Sequence, residues 1–347
     1  MPPNIARMAP ALPLKVYLDL NHWYALGDAL AGVPLRPEHV TVLQQLRGHV
    51  ERGEVMFPLS AVHYMELTEN PRDAHRERAA EAMTLLSQFV TMAPAHKILE
   101  EEMALELHRL FARPAFPVKV EKFGSGVGFA FGEPKAMVIK GLTDENRKEF
   151  ESRVGMSVSA LEAKATATAE YWILRGPTAA MQATIPNYDR NAARQIADKQ
   201  LASFNVMVNS LRTIPDLAQR PMEAICARYY QFDILDNYTR AIMAAGFTQD
   251  RLPFHSKEEL TNFLMALPSC RVITQMQFHY LKDVHRDWTI NDLRDLDALS
   301  IAIPYCDIVV TDKKARDAAV NRARLDREFD TLIFSSLKDL ADHLAKA

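Results

Sequence analysis

Carboxylates carry the chemistry this chain can do. Asp19 ends a short apolar run, Lys15-Val-Tyr-Leu-Asp19, and Asp312 ends a second, Ile308-Val-Val-Thr-Asp312. Glu66 sits between them on a stretch with helical spacing. Asp292, Asp295 and Asp297 open another helical stretch just before the second run. Carboxylates that converge from distant parts of a chain repel one another and are usually offset by hard cations with oxygen ligands, chiefly Mg²⁺ or Mn²⁺. Such cations lower the pKa of a bound water and stabilise charge on a phosphate during in-line displacement. Cys226, Cys270 and Cys306 form no CxxC pair and no histidine cluster stands out, so zinc fits less well. Taken singly, each acid has a plainer role. An Asp after a strand often caps a turn, acids at a helix start suit the macrodipole, and Glu66 could be a solvated helix residue.

Convergence requires particular elements. If Lys15–Leu18 and Ile308–Thr311 are parallel neighbours, Asp19 and Asp312 both leave carboxyl ends of strands, where open α/β sheets place their binding crevice. The helix before Ile308 must run antiparallel to that strand, so its amino end returns to the same edge with Asp292, Asp295 and Asp297. Glu54-Val-Met-Phe57 predicts another strand. The helix after it, N-capped by Ser60 and closed by Asn70-Pro71, starts on that edge and carries Glu66.

Around these lie further elements. Val42, Leu43, Leu46 and Val50 predict a helix over 38–52, stopped by Gly53. Helices are expected from Ala74 to Leu86 and Ala95 to Phe111, with a strand at Phe89-Val-Thr-Met. Pro114, Pro117, Gly124, Gly126, Gly128, Gly132 and Pro134 break any pattern over 113–141, which reads as an irregular hairpin or flap. The middle is helical: Asp144–Arg153, Val158–Leu174, Arg190–Leu211, Met222–Ala245 and Lys257–Leu267. The α/β texture then returns, with a helix over Asn291–Ile303 ended by Pro304, a helix over Arg316–Arg327, a strand at Thr331–Phe334 and a last helix over Ser336–Ala345. The expectation is one discontinuous α/β domain, residues 13–111 and 268–347, holding an irregular hairpin and helical insert over 112–267.

Composition bounds the rest. With 48% hydrophobic and 24% charged residues in 347, a large core is available and bulk disorder is not expected. A formal net charge of −3 argues against coating of DNA through bulk charge, though a local groove can still take nucleic acid. Scattered cysteines, no signal-like start and no apolar run of membrane length point to a cytoplasmic protein with no membrane partner.

The blocks carrying the acids resemble the PIN-like nuclease family. Val16-Tyr-Leu-Asp19-Leu-Asn21 is similar to its opening strand. Phe57-Pro-Leu-Ser60 through Tyr64-Met-Glu66-Leu67 is similar to its second strand and glutamate helix. Asp297-Ala-Leu-Ser-Ile-Ala302 with Cys306-Asp-Ile-Val-Val-Thr-Asp312 is similar to its closing block, and the Ile303-Pro-Tyr-Cys-Asp307 turn resembles a bacterial PIN-like subgroup. The resemblance spans roughly 13–111 and 291–347. It implies a three-layer α/β/α fold with a central parallel sheet, and Mg²⁺- or Mn²⁺-dependent phosphodiester cleavage, usually of RNA. By position Asp19, Glu66, Asp297 and Asp312 would be the acidic quartet, with Asn21 and Thr311 supporting the metal edge. Asp297 best fits the spacing to Thr311-Asp312, with Asp292 and Asp295 as rivals. Two alternatives remain: a structure-specific DNA nuclease using the same site, and a non-catalytic PIN-fold module that binds RNA or protein.

Other features have plainer readings. Phe123-Gly-Ser-Gly-Val-Gly lacks the ending of a phosphate loop and reads as a flexible surface hairpin, or as a gating flap with Lys119, Lys122, Lys135 and Lys140. Packing is the preferred role for His22 and Trp23, base stacking by Trp23 the sharper one. His63 and Arg294 read as solvated side chains with phosphate contact as the alternative, and Tyr229-Tyr-Gln-Phe232 as a packing face.

Overall fold

Two apolar strands far apart in sequence meet at the centre of the fold. The computed structural model describes residues 12–112, 119–133, 137–186, 190–248, 254–283 and 286–346. Strand β1 (Leu14–Leu18) pairs in parallel with β5 (Ile308–Val310) in the register Val16↔Ile308, Tyr17↔Val309, Leu18↔Val310. Strands β2 (Val55–Met56) and β6 (Leu332–Phe334) flank them in parallel, giving the order β2-β1-β5-β6. A parallel sheet is buried on both faces, so its strands are apolar at nearly every position. Val16, Leu18, Ile308 and Val310 enter one core, and Tyr17, Val309 and Ile333 the other. A second ladder is antiparallel and joins β3 (Val90–Met92) to β4 (Phe123–Ser125).

The chain is otherwise mostly helical. On the first sheet face lie α1 (Leu20–Leu30), α2 (Glu38–Glu51) and α4 (Asp73–Ser87), with α3 (Ala61–Glu69) beside them. Next come α5 (Ala95–Phe111), α6 (Gly126–Ala130), α7 (Asp144–Val154), α8 (Val158–Arg175) and α9 (Ala179–Gln182). After these follow α10 (Arg190–Thr213), α11 (Pro215–Gln219), α12 (Pro221–Tyr229), α13 (Leu235–Ala244), α14 (Lys257–Ala266) and α15 (Pro268–Leu281). The chain closes with α16 (Ile290–Tyr305), α17 (Lys313–Arg316), α18 (Leu325–Phe329) and α19 (Leu337–Leu344). Helix α19 completes the first face with Leu340 and Leu344. The second face is covered by α16 through Leu296, Leu299 and Ile303, by α15 through Val272 and Met276, and by α10 through Phe204 and Val208. A third core joins Leu99, Met103 and Leu107 of α5 to Cys226, Tyr238 and Phe263. Among the described residues no helix is long and apolar enough to cross a membrane.

Several sequence expectations change in detail. Pro304 does not end its helix but sits in the last turn, where its missing N–H forfeits a single helix bond and Cys306 N–H still reaches Ala302. The expected helix over Met222–Ala245 is interrupted by a π-helical turn at Tyr230–Ile234, where the aromatic run bulges. The expected helix from Arg316 starts earlier, directly after Asp312, and passes through a π-helical stretch at Asp317–Arg322. Phe123–Gly128 is no free hairpin. Phe123–Ser125 is the β4 rung against β3, and Glu170 accepts the Val127 N–H at 2.8 Å beside Gly126, whose φ of +83° suits a residue without Cβ. Lys135 of the supposed flap lies outside the described residues.

Helices α1 and α4 cross so closely that a Cβ on Gly27 would stand 2.5 Å from the Arg78 carbonyl oxygen. Gly27→Ala therefore forces two backbones apart and is expected to cost about 1–3 kcal/mol. On α2 a Cβ at Gly48 meets only the flexible end of Arg52 at 3.2 Å. Gly48→Ala should stabilise by about 0.5–1 kcal/mol through helix propensity. Urea unfolding midpoints of the two variants test this opposite sign.

Candidate active site

Both strand-end acids turn a strand into a helix. Asp19 continues the β1–β5 ladder with its own N–H, which donates to Val310 O at 2.9 Å, and then caps α1 by accepting the Leu20 N–H at 2.7 Å. Asp312 caps α17, its Oδ1 accepting from Lys314 N at 2.5 Å and Ala315 N at 2.9 Å. The capping role weighed from sequence is thus real, but it occupies one oxygen of each carboxylate. Among the described residues no donor meets the other.

Glu66 is positioned by a histidine. The Ser60 N–H donates to His63 Nδ1 at 2.9 Å, which leaves the ring proton on Nε2, and Nε2–H donates to Leu18 O at 2.8 Å. His63 is therefore a buried neutral bridge that fixes the start of α3 against the residue before Asp19. Burial pushes its pKa down to about 4. It is neither solvated nor a phosphate contact. Arg294 is also committed: its guanidinium grips Glu69 with bonds of 2.8 and 2.6 Å, locking α16 onto the carboxyl end of α3.

That clamp turns Asp295 toward the acids. Asp19, Glu66, Asp295 and Asp312 line one open cleft of about 650 Å³, with Asn21, Asn291, Arg294 and Glu69. All four are half-buried. Burial raises Asp19 first, then the Asp312 charge, against the Leu20 N–H. Burial and then Asp19 push Glu66 up to about 7, with Arg294 opposing. Asp295 is raised by burial and then by Asp19, Glu66, Asp312 and Asp292. The acids therefore sense one another across the cleft.

The other predicted members fall elsewhere. Asp297 is on the far flank of α16. It is walled by protein yet open to a second cavity of about 530 Å³ that also holds Asp233, and burial followed by Asp233 pushes it up to about 7. Asp292 closes a capping box with Thr289, whose N–H it accepts at 2.7 Å, and pairs with Arg286 in a neighbouring cleft. Thr311 is buried beneath the edge; its carbonyl faces His22 Nε2 at 3.4 Å. Trp23 is fully buried against Phe57 and His63, a packing role. Choosing Asp297 by its spacing to a strand end neglected rotation: two residues along a helix turn a side chain by about 200°. Leu296, Leu299 and Ile303 mark the core face, and that signal was available to choose between the rivals. Sequence reasoning also missed Tyr24, Asn70, Arg72 and His75, which line the cleft. Tyr24 follows Asn21 by three helical positions, so both lie on one side of α1.

The donor set suits a hard divalent cation, since it offers only oxygens: four carboxylates and the Asn21 amide. Among the described residues, no group of three or more His, Cys, Asp or Glu is arranged to hold an ion as the side chains stand. No family model, curated protein or solved structure matches the chain.

Two stability measurements probe this electrostatics. A carboxyl raised in the fold costs stability once pH exceeds its unfolded value near 4. Asp295→Asn should thus raise the urea midpoint of the metal-free protein at pH 8, and the gain should fade toward pH 4. A histidine held neutral acts in the opposite direction. Its contribution is full above the unfolded value of about 6.5 and is lost as pH falls toward about 4. The stability gap between wild type and His63→Ala should therefore shrink by on the order of 3 kcal/mol between pH 7 and the acid end of that window.

Proposed function

We propose that the chain is a divalent-cation-dependent nuclease of PIN-like architecture, acting on phosphodiester bonds of RNA. One observation carries this reading: Asp19, Glu66, Asp295 and Asp312, from four separate elements, line a single cleft at the carboxyl edge of a parallel sheet. Three of them are raised partly by one another's charge. Left without a counter-charge, such a group destabilises the fold for no structural return, whereas a nuclease needs it. The resemblance read from sequence adds RNA as the substrate class, with Asp295 replacing Asp297 in the quartet.

The residues divide the work. Asp19 and Asp312 each keep an uncapped oxygen for a cation, Mg²⁺ or Mn²⁺ by donor chemistry. Glu66 and Asp295 complete the ligand set from the two helices that Arg294 and Glu69 clamp together. When bound, the cation would supply positive charge for the phosphate and a lowered pKa for the attacking water. Asn21, exposed on the first turn of α1, can donate to a ligand or substrate oxygen. His63 is consumed structurally and takes no part as a base, consistent with a route in which no protein histidine moves the proton.

Mn²⁺-dependent cleavage should be compared on single-stranded RNA, single-stranded DNA and branched DNA. RNA is expected to be cut fastest. Asp19→Asn and Asp295→Asn should each lower kcat by at least about a hundredfold with folding retained, while Asp297→Asn stays within about threefold of wild type. Equal activity of wild type and Asp295→Asn would sink the assignment.

A further inference from the structure

The cleft has a second, non-acidic part of its lining. Asn70, just after α3, uses its whole amide there. Its Nδ2 donates to the Tyr24 hydroxyl oxygen at 2.8 Å and to His75 Nδ1 at 3.2 Å, and its Oδ1 accepts the Arg72 N–H at 3.0 Å. The Tyr24 and His75 rings stack in parallel, 4.1 Å apart with 7° between planes. Because His75 Nδ1 must accept from an amide NH₂, the ring proton sits on Nε2. Because the Tyr24 oxygen already accepts, its own O–H is left to donate. Arg72 is exposed and lines the same cleft. Among the described residues, no protein acceptor meets the Tyr24 O–H, the His75 Nε2–H or the Arg72 guanidinium. Three donors without an acceptor, one of them a full positive charge, are arranged beside four carboxylates.

The geometry points to a phosphate subsite: Tyr24, His75 and Arg72 bind the phosphodiester next to the one that is cut, and so set the register of the strand. This inference rests on the nuclease reading above. The chemistry is that of an acceptor-only anion. Phosphate oxygens take hydrogen bonds from all three groups and charge from Arg72. The carboxylates alone repel a nucleic-acid backbone, so the cleft needs a donor patch to hold the strand outside the cation site.

The test is steady-state cleavage of a short fluorescein-labelled single-stranded RNA with Mn²⁺ across a salt series. Arg72→Ala should raise KM about tenfold with kcat within about twofold. It should also make log(kcat/KM) against log salt shallower by about 0.7, one counterion fewer on a single strand. Tyr24→Phe keeps the stacked ring but removes the hydroxyl, and with it both the free donor and the acceptor of the Asn70 Nδ2–H; it should raise KM while the melting temperature stays within about 5 °C of wild type. Arg72→Lys should restore the salt slope and only part of KM. Arg153→Ala, on α7, should change neither quantity. If Arg72→Ala and Tyr24→Phe keep wild-type KM and slope while Asp295→Asn loses cleavage, the subsite is wrong and the nuclease reading stands. If the wild type neither cuts nor binds the RNA, both fall.

Discussion

The parallel pairing of β1 with β5 is the constraint on which the rest depends. Three rungs, Val16↔Ile308 to Leu18↔Val310, bring the two strand ends into register, and the next N–H, that of Asp19, extends the ladder to Val310 O. A slip by one residue would exchange the two faces of β1 and turn Tyr17 into the core that now holds Val16 and Leu18. It would also displace Asp19 from Asp312. Asp307 guards this register from the other end, its carboxylate accepting the Lys15 N–H at 2.8 Å.

The helices that bring the remaining acids are fastened by polar contacts that are themselves far from solvated. His63 ties α3 to the Leu18 carbonyl, and the Arg294–Glu69 pair ties α16 to α3. Tyr305 donates to the buried Glu102 at 2.6 Å, and Ser269 donates to the same carboxylate, so α5, α15 and the end of α16 share one acceptor. A buried carboxylate is tolerated there because donors surround it. In the cleft, Asp19 has only the Leu20 N–H on one oxygen, and among the described residues no protein donor meets Glu66 or Asp295. This contrast in satisfaction separates Glu102, a structural acid, from Asp19, Glu66 and Asp295, the acids on which the proposed function draws.

Much of this was legible in the sequence, and the failures have physical causes. The apolar runs ending in Asp19 and Asp312 announce buried parallel strands, because only such strands are apolar on both faces. Ser60 announces a helix start through its capping chemistry, and it caps α3. Asp297 lines a different cavity from the other acids because distance along the chain says nothing about rotation around a helix axis. The π-helical turn at Tyr230–Ile234 was not legible because it only offsets the apolar spacing before and after it by one residue, and each flanking run is too short to fix its own phase. The Tyr24–His75 stack joins α1 to α4, and a pair held by tertiary packing cannot be inferred from either helix alone.

The β1–β5 ladder also has a temporal meaning. Lys15 and its partner Asp307 are 292 residues apart. At ribosomal rates of about 5–20 residues per second, β1 waits roughly 15–60 s for the strand that completes its pairing. During that interval an apolar strand with an open edge is offered to the nascent chain's surroundings, which makes it a substrate for holding chaperones and a hazard for aggregation. The same delay keeps the acids apart: Asp19 and Glu66 are synthesised early, but Asp295 and Asp312 join them only once the last α/β segment emerges. The order of synthesis thus makes the cleft one of the last parts of the fold that can be assembled.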